Sequence, residues 1–207
     1  MSPWDVRLAR RLVRPLRHTP LTPNGLTTLG LLASLTAAAL MASGDPRRMA
    51  LGGGLFMMAV LVDHMDGEFA RLTGLTSRFG HYYDHVAAGL GYVSLFVGLG
   101  IGLRGGWLGS WAPIAGGVAA GSIAAIFVIR VFLEETAGRA LVAQDNWGGF
   151  EPEDALYVVG PAAWVGALSP FLLAAAVGTP LFLVWVIWCA AARRSATAQA
   201  PGRRRAG

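Results

Sequence analysis

The chain has 207 residues, 54% hydrophobic and 14% charged. An ordinary soluble domain carries about 25% charged residues, so this chain cannot clothe a globular surface with polar groups and lipid is its expected solvent. Its net charge of +5 comes from 17 arginines with no lysine, a coding bias that also shows in the heavy use of Ala and Gly.

Those arginines flank apolar runs, where anionic membrane lipid suits them better than nucleic acid does. The single Cys189 lies in a late apolar run and supports neither a disulfide framework nor a thiolate metal site. The first apolar run starts near Asn24, too late and with the wrong flanks for a cleaved secretory signal.

In chain order, residues 1–20 form a basic interfacial segment. Five Arg alternate with Trp4, Val6, Leu8, Leu12, Val13 and Leu16, the composition of an amphipathic helix lying on the inner leaflet. A basic tail that merely orients the first span is the plainer alternative. Six apolar spans are expected next, at 24–43, 48–72, 78–103, 111–136, 154–175 and 177–193, each near the roughly 20 residues that cross a bilayer core. The fold class is therefore an all-α integral membrane protein, with a six-helix transmembrane domain over 21–194 and a disordered basic tail over 195–207. Abundant Gly within the spans suits close helix–helix approach.

Arginine placement sets the orientation. Five Arg precede the first span and five follow the last, while Arg71, Arg78 and Arg139 lie on the same side. Only Arg47, Arg48 and Arg104 fall on the other. The positive-inside bias puts both termini and the 71–78 connection in the cytoplasm, here of a bacterial inner membrane.

The chemistry concentrates between residues 61 and 89. Asp63 and Asp66 are three apart and project from one helix face, with the small residues Gly67 and Ala70 one turn further along. On the next span Gly80 precedes Asp84 by four. A short connection makes these two spans expected antiparallel neighbours, their ends bringing three carboxylates together. Each carboxylate at membrane depth costs roughly 2.5–3.5 kcal/mol on insertion scales, and such crowding calls for a cation. All-oxygen ligation favours Mg²⁺, Mn²⁺ or Ca²⁺ over zinc. The alternative is a structural network in which Arg71 or Arg78 pairs with the aspartates.

These residues carry a resemblance. The run Asp63-x2-Asp66-Gly67-x2-Ala70-Arg71-x8-Gly80-x3-Asp84-x3-Ala88 resembles the signature of the CDP-alcohol phosphotransferase (CDP-alcohol phosphatidyltransferase) family in seven of its eight positions. The resemblance implies a membrane enzyme of phospholipid biosynthesis dependent on Mg²⁺ or Mn²⁺, with two ions in the intact family site. The pyrophosphate of a CDP-alcohol lipid donor, here CDP-diacylglycerol, rests on metal. An acceptor hydroxyl attacks the phosphorus attached to the lipid alcohol, and CMP leaves. By the same resemblance Asp63, Asp66 and Asp84 are metal ligands, and Gly67, Arg71 and Ser77 contact the nucleotide and pyrophosphate. Ala70 and Gly80 match the motif's small positions in that donor site, and Asn24 and Thr27 resemble a further nucleotide contact. The partners are the donor, the alcohol acceptor and membrane lipid, without nucleic acid, and a homodimer is allowed.

Ala88 stands where the family has a fourth Asp, its second-metal ligand and general base. Loss of a positioned base typically costs about 10²–10⁴ in rate. Three explanations compete: an introduced inactivating substitution, which the otherwise intact motif favours; a natural paralogue that binds without turnover; or replacement by His85 or Glu68. His85 lies about 100° round the helix from Asp84 and substitutes poorly; His64 and His81 read as interfacial or packing residues. Arg130 and Arg139 are candidates for binding a phosphorylated acceptor, against a plainer role as topology markers. The 137–153 loop, with its Gln144, Asp145, Asn146 and Trp147 and the acids that follow, reads chiefly as helix capping. A cation transporter is the rival from another class, expected to hold its acids at mid-bilayer on broken helices.

Overall fold

A computed structural model of the chain describes residues 4–137 and 152–198, and every regular element among them is helical. Helix α1 spans Trp4–Val13, followed by a 3₁₀ turn at Pro15–His18. Helices α2 (Pro23–Ala42), α3 (Pro46–Thr73), α4 (Arg78–Gly102) and α5 (Trp111–Ala137) follow. A 3₁₀ segment at Pro152–Val158 leads into the short α6 (Val159–Trp164), and α7 covers Leu168–Ala198. Five of these, α2, α3, α4, α5 and α7, are long and apolar enough to cross a membrane.

The helix starts follow local chemistry. Pro23 and Pro46 open α2 and α3, where a missing N–H costs nothing. The side chains of Thr22, Asp45 and Ser77 accept from the backbone N–H three residues on, at Gly25, Arg48 and Gly80, so each frees the first turn from orphan donors. Gly74 ends α3 in the left-handed region, at φ 71°, which a glycine adopts without penalty.

The C-terminal third differs from the expected 154–175 and 177–193 spans. The break falls at 165–167 instead of 176. There Gly166 takes φ 73°, its N–H donates to the Ala163 carbonyl, and the Ala167 N–H reaches back to the Ala162 carbonyl at 2.7 Å. That paired pattern terminates a helix. Past it, α7 runs unbroken through Gly178 and Pro180, as apolar surroundings permit when the backbone has no water to turn to. The expected fifth span is thus a 3₁₀ segment and the short α6. They run antiparallel to α3: a Cβ on Gly160 would lie 1.9 Å from Met57 Sδ, one on Gly53 2.8 Å from Ala163 Cβ, and the Trp164 indole donates to the Ala50 carbonyl at 3.1 Å. Helix α7 continues to Ala198, so residues 195–198 are helical where the tail is expected; residues 199–207 lie outside the described residues.

The packing also revises the expected pairing of the two motif helices. Helix α2 lies along both α3 and α4, which barely touch one another. A short connection brings the ends of α3 and α4 together, but the shafts diverge because α2 fills the space between them. Helix α5 packs on the outside of α4, and α7 on α5. The main core gathers Met41, Phe56, Tyr92, Leu95, Phe96, Leu99 and Leu172. A second cluster of Val13, Leu26 and Phe69 ties α1 to the ends of α2 and α3. In α1, Ala9 and Val13 are fully buried while Leu8 and Leu12 are about two-fifths exposed, leaving an apolar flank beside the arginines.

At the end opposite the motif the helices meet backbone to backbone. A Cβ on Gly98 would come within 2.4 Å of the Ala38 carbonyl oxygen, and one on Gly102 within 2.0 Å of that of Met41. Neither oxygen can give way without bending α2. Gly98→Ala is accordingly expected to destabilise by about 1–3 kcal/mol, the usual cost of overpacking. Gly117→Ala, with nothing within 4 Å of the added carbon, should leave the thermal midpoint in detergent unchanged or raise it.

Candidate metal centre

The first turn of α2, the last two turns of α3 and the first two turns of α4 enclose a cleft of about 550 Å³. Each wall is fixed by the caps described above, and the Ser77 cap turns the N-terminal end of α4 into the cleft. Asp63 and Asp66 come from α3 and Asp84 from α4; one carboxylate oxygen from each lies within 4.8 Å of the other two. Asp66 is 3% exposed and accepts a hydrogen bond from the Thr27 hydroxyl of α2. Asp63 and Asp84 are half-buried.

Two ionised carboxylates at that separation repel by about 3 kcal/mol or more at an effective dielectric of ~20. Three of them, desolvated on one side, are a group whose repulsion a cation among them would relieve. The donor set is entirely oxygen and half-open to solvent. It therefore fits a hard divalent ion, Mg²⁺ or Mn²⁺, better than one that seeks nitrogen or sulfur.

The expected alternative, in which arginine pairs the aspartates, is not how Arg71 is arranged. Its guanidinium donates to Glu68, Nη2 at 2.7 Å and Nε at 3.1 Å to the same oxygen. Arg10 of α1 donates to the other Glu68 oxygen at 2.8 Å, and that hydrogen bond and charge raise the Arg10 pKa above its ordinary value. Glu68 is itself 5% exposed, so it joins the surface helix to α3. This occupies it fully, and it is no free base to stand in for residue 88.

All the residues assigned to the donor by the motif reach this cleft: Asn24, Thr27, Gly67, Ala70, Arg71, Ser77 and Gly80 line it. A Cβ on Gly67 would meet only the Arg71 guanidinium, at 3.5 Å, so the helix surface there is bare. A Cβ on Gly80 would lie 3.0 Å from both Asn24 Oδ1 and Ser77 Oγ; its smallness serves the α2–α4 contact as well as the cleft.

Ala88 has a different setting. It is partly buried and packs against the main hydrophobic core. Arg130 lines another cavity, of about 380 Å³, with Tyr92, Phe127 and Thr179. Arg139 and the loop residues Gln144 to Trp147 lie outside the described residues.

Sequence reasoning missed His81. Read as a packing residue, it lines the cleft and its Nε2 sits 2.8 Å from Glu134 Oε1 of α5. Its place four after Ser77 and three before Asp84, on one helix face, was the signal available. His64 donates from Nδ1 to the Val60 carbonyl at 2.8 Å.

The CDP-alcohol phosphatidyltransferase family model matches residues 20–194. No protein of curated function matches the sequence. Among solved structures the chain is similar to phosphatidylinositol phosphate synthase of Mycobacterium tuberculosis in three states. With CDP-DAG bound, the TM-score is 0.71 at 24% identity, covering 89% of this chain and 94% of that one. In complex with manganese and citrate it is 0.68 at 24% identity, covering 90% and 88%. The apo form also gives 0.68 at 24% identity, covering 88% and 94%. These likenesses establish a shared fold.

Glu68 yields a test of its own. Glu68→Ala is expected to speed amide hydrogen exchange across residues 4–13 by about tenfold or more, since local opening follows the contacts that hold a segment. Glu135→Ala, at an exposed position, should leave those amides unchanged.

Proposed function

We propose that this chain, which belongs to the CDP-alcohol phosphatidyltransferase family, transfers a phosphatidyl group from CDP-diacylglycerol to an alcohol acceptor in phospholipid biosynthesis, releasing CMP. The observation that carries this reading is the convergence of Asp63, Asp66 and Asp84 beside a cleft lined by Asp66, Asp84 and every residue assigned to the donor. The similar synthase with CDP-DAG bound, and its manganese complex, support the same choice of donor and metal.

In this reading Asp63, Asp66 and Asp84 hold Mg²⁺ or Mn²⁺, which neutralises the diphosphate and stabilises the leaving oxygen of CMP. Thr27 fixes the rotamer of Asp66 by donating to it. Gly67 and Ala70 leave the α3 surface low enough for the nucleotide to lie against the backbone. Arg71, clamped on Glu68 but facing the cleft, adds positive charge where phosphate arrives. Ser77 and the α4 N-terminus present donors to the same anion, and Asn24 faces them from α2.

The acceptor oxygen bonds to the phosphorus attached to the diacylglycerol, the bond from phosphorus to CMP breaks, and the acceptor's proton must be removed. Position 88 offers no carboxylate for that proton, so turnover is impaired. Because Ala88 packs into the core, a second reading has an observation in its favour: a protein that binds the nucleotide lipid without turning it over. The transporter reading has none, since the acids gather at one end of the bundle.

The same proposal covers topology. The Pro152–Trp164 stretch, running back beside α3 to Ala50, counts as the fifth of six crossings. Both termini and the cleft then share one side, which the arginine bias makes cytoplasmic in a bacterial inner membrane. Helix α1 lies on that surface with its arginines toward anionic lipid.

Ala88→Asp is expected to raise Mn²⁺-dependent CMP release from CDP-diacylglycerol by about tenfold or more. Asp63→Asn, Asp66→Asn and Asp84→Asn should each weaken Mn²⁺-dependent donor binding at least about tenfold. Donor binding indifferent to Mn²⁺ and to all three substitutions would end the proposal. Binding without release, in both the unsubstituted chain and Ala88→Asp, would select the silent protein. Gly67→Ala separates site from scaffold: helix propensity favours Ala over Gly by about 1 kcal/mol, so the thermal midpoint should hold or rise while donor affinity falls.

A further inference from the structure

We infer that His81, His85 and Glu134 form a second metal site, one that takes a transition-metal ion such as Zn²⁺, Co²⁺ or Mn²⁺ beside the all-oxygen aspartate centre. His81 and His85 are four residues apart on α4 and therefore share a helix face; their rings meet edge-on with centroids 4.4 Å apart. Glu134 faces them from α5. One ligand-capable atom from each of the three lies within 4.8 Å of the other two.

The hydrogen bonds prepare the imidazoles for this work. His85 Nδ1 is 3.0 Å from the His81 carbonyl oxygen; a carbonyl only accepts, so Nδ1 carries the proton and Nε2 keeps its lone pair. An imidazole tied through one nitrogen to a backbone carbonyl is the usual outer support of a metal-bound histidine. His81 Nε2 and Glu134 Oε1, 2.8 Å apart, share a proton at a place where a cation could bridge them. The side chains of His81 and His85 are each 29% exposed and that of Glu134 is 17% exposed, sheltered yet reachable from solvent.

The donor types choose the metal. Two imidazoles and one carboxylate suit borderline ions, whereas Mg²⁺ and Ca²⁺ prefer oxygen alone. Three protein ligands also leave a coordination position open. The site adjoins the first one: His85 Nδ1 lies 3.7 Å from Asp84 Oδ2, and His81 lines the same cleft as Asp84. Two ions of different preference thus have places on either side of Asp84, with none of the second set drawn from position 88. The inference rests on these three side chains and not on transferase activity.

The test uses the full chain in detergent with Mg²⁺ in saturating excess, so that the oxygen site is filled, and Co²⁺ as the probe. One Co²⁺ per chain should bind with a visible d–d band and raise the thermal midpoint, as a ligand specific to the folded state must. His85→Gln and Glu134→Gln should each weaken that binding about tenfold or more and abolish the thermal shift, while His18→Gln leaves both intact. Asp63→Asn should leave the Mg²⁺-resistant Co²⁺ in place while donor binding falls. Absence of Mg²⁺-resistant Co²⁺ in the unsubstituted chain would overturn the inference. So would Co²⁺ that survives both His85→Gln and Glu134→Gln, or that depends on His18. Any of these results together with intact Mg²⁺-dependent donor binding sinks this site alone; Co²⁺ bound by the unsubstituted chain with no Mg²⁺-dependent donor binding sinks the transferase reading instead.

Discussion

Three carboxylates crowded at the end of a helical bundle need relief from their mutual repulsion and helices that are kept from closing on one another. Helix α2 meets the second requirement. It lies along both α3 and α4 while those two barely touch, and its first turn supplies the floor of the opening. The Thr27 hydroxyl on Asp66 is where the two requirements meet: the residue that spaces the helices also orients the most buried of the acids. Without α2 in that place, α3 and α4 would pack together and the aspartates would be forced outward or into repulsion.

Charge is distributed around the cleft by the same logic. Glu68, one residue beyond Gly67, takes up Arg71 from its own helix and Arg10 from α1. Arg71, a lining residue of the cleft, is thereby fixed in position by Glu68. A buried carboxylate held by two partly exposed arginines is weak evidence for stability, but it joins a surface helix to the residues that line the cleft.

Much of this was legible in the sequence because it is local. Asp63 and Asp66 with the small residues one turn on, and Gly80 ahead of Asp84, each follow from spacing along a single helix. What the sequence hid depends on distant partners. Nothing in the short 74–77 connection reveals that a third helix separates the shafts it joins. Glu68 finds Arg10 across 58 positions and His81 finds Glu134 across 53, pairings no periodicity encodes. The misplaced break in the C-terminal third has another origin: hydropathy is continuous there, and Gly166 acts through its backbone conformation while Pro180, the more conspicuous breaker, is absorbed inside α7. Position 88 illustrates a third limit, since a motif can mark a substitution without telling that the replacement packs into the core.

The glycine contacts at Gly98 and Gly102 have a consequence for traffic through the molecule. With backbones pressed together at one extremity and spread at the other, the bundle resembles tongs whose pivot is welded shut. The pivot holds the helices at a fixed spacing, so among the described residues only the far extremity, where the cleft lies, has room to widen or narrow.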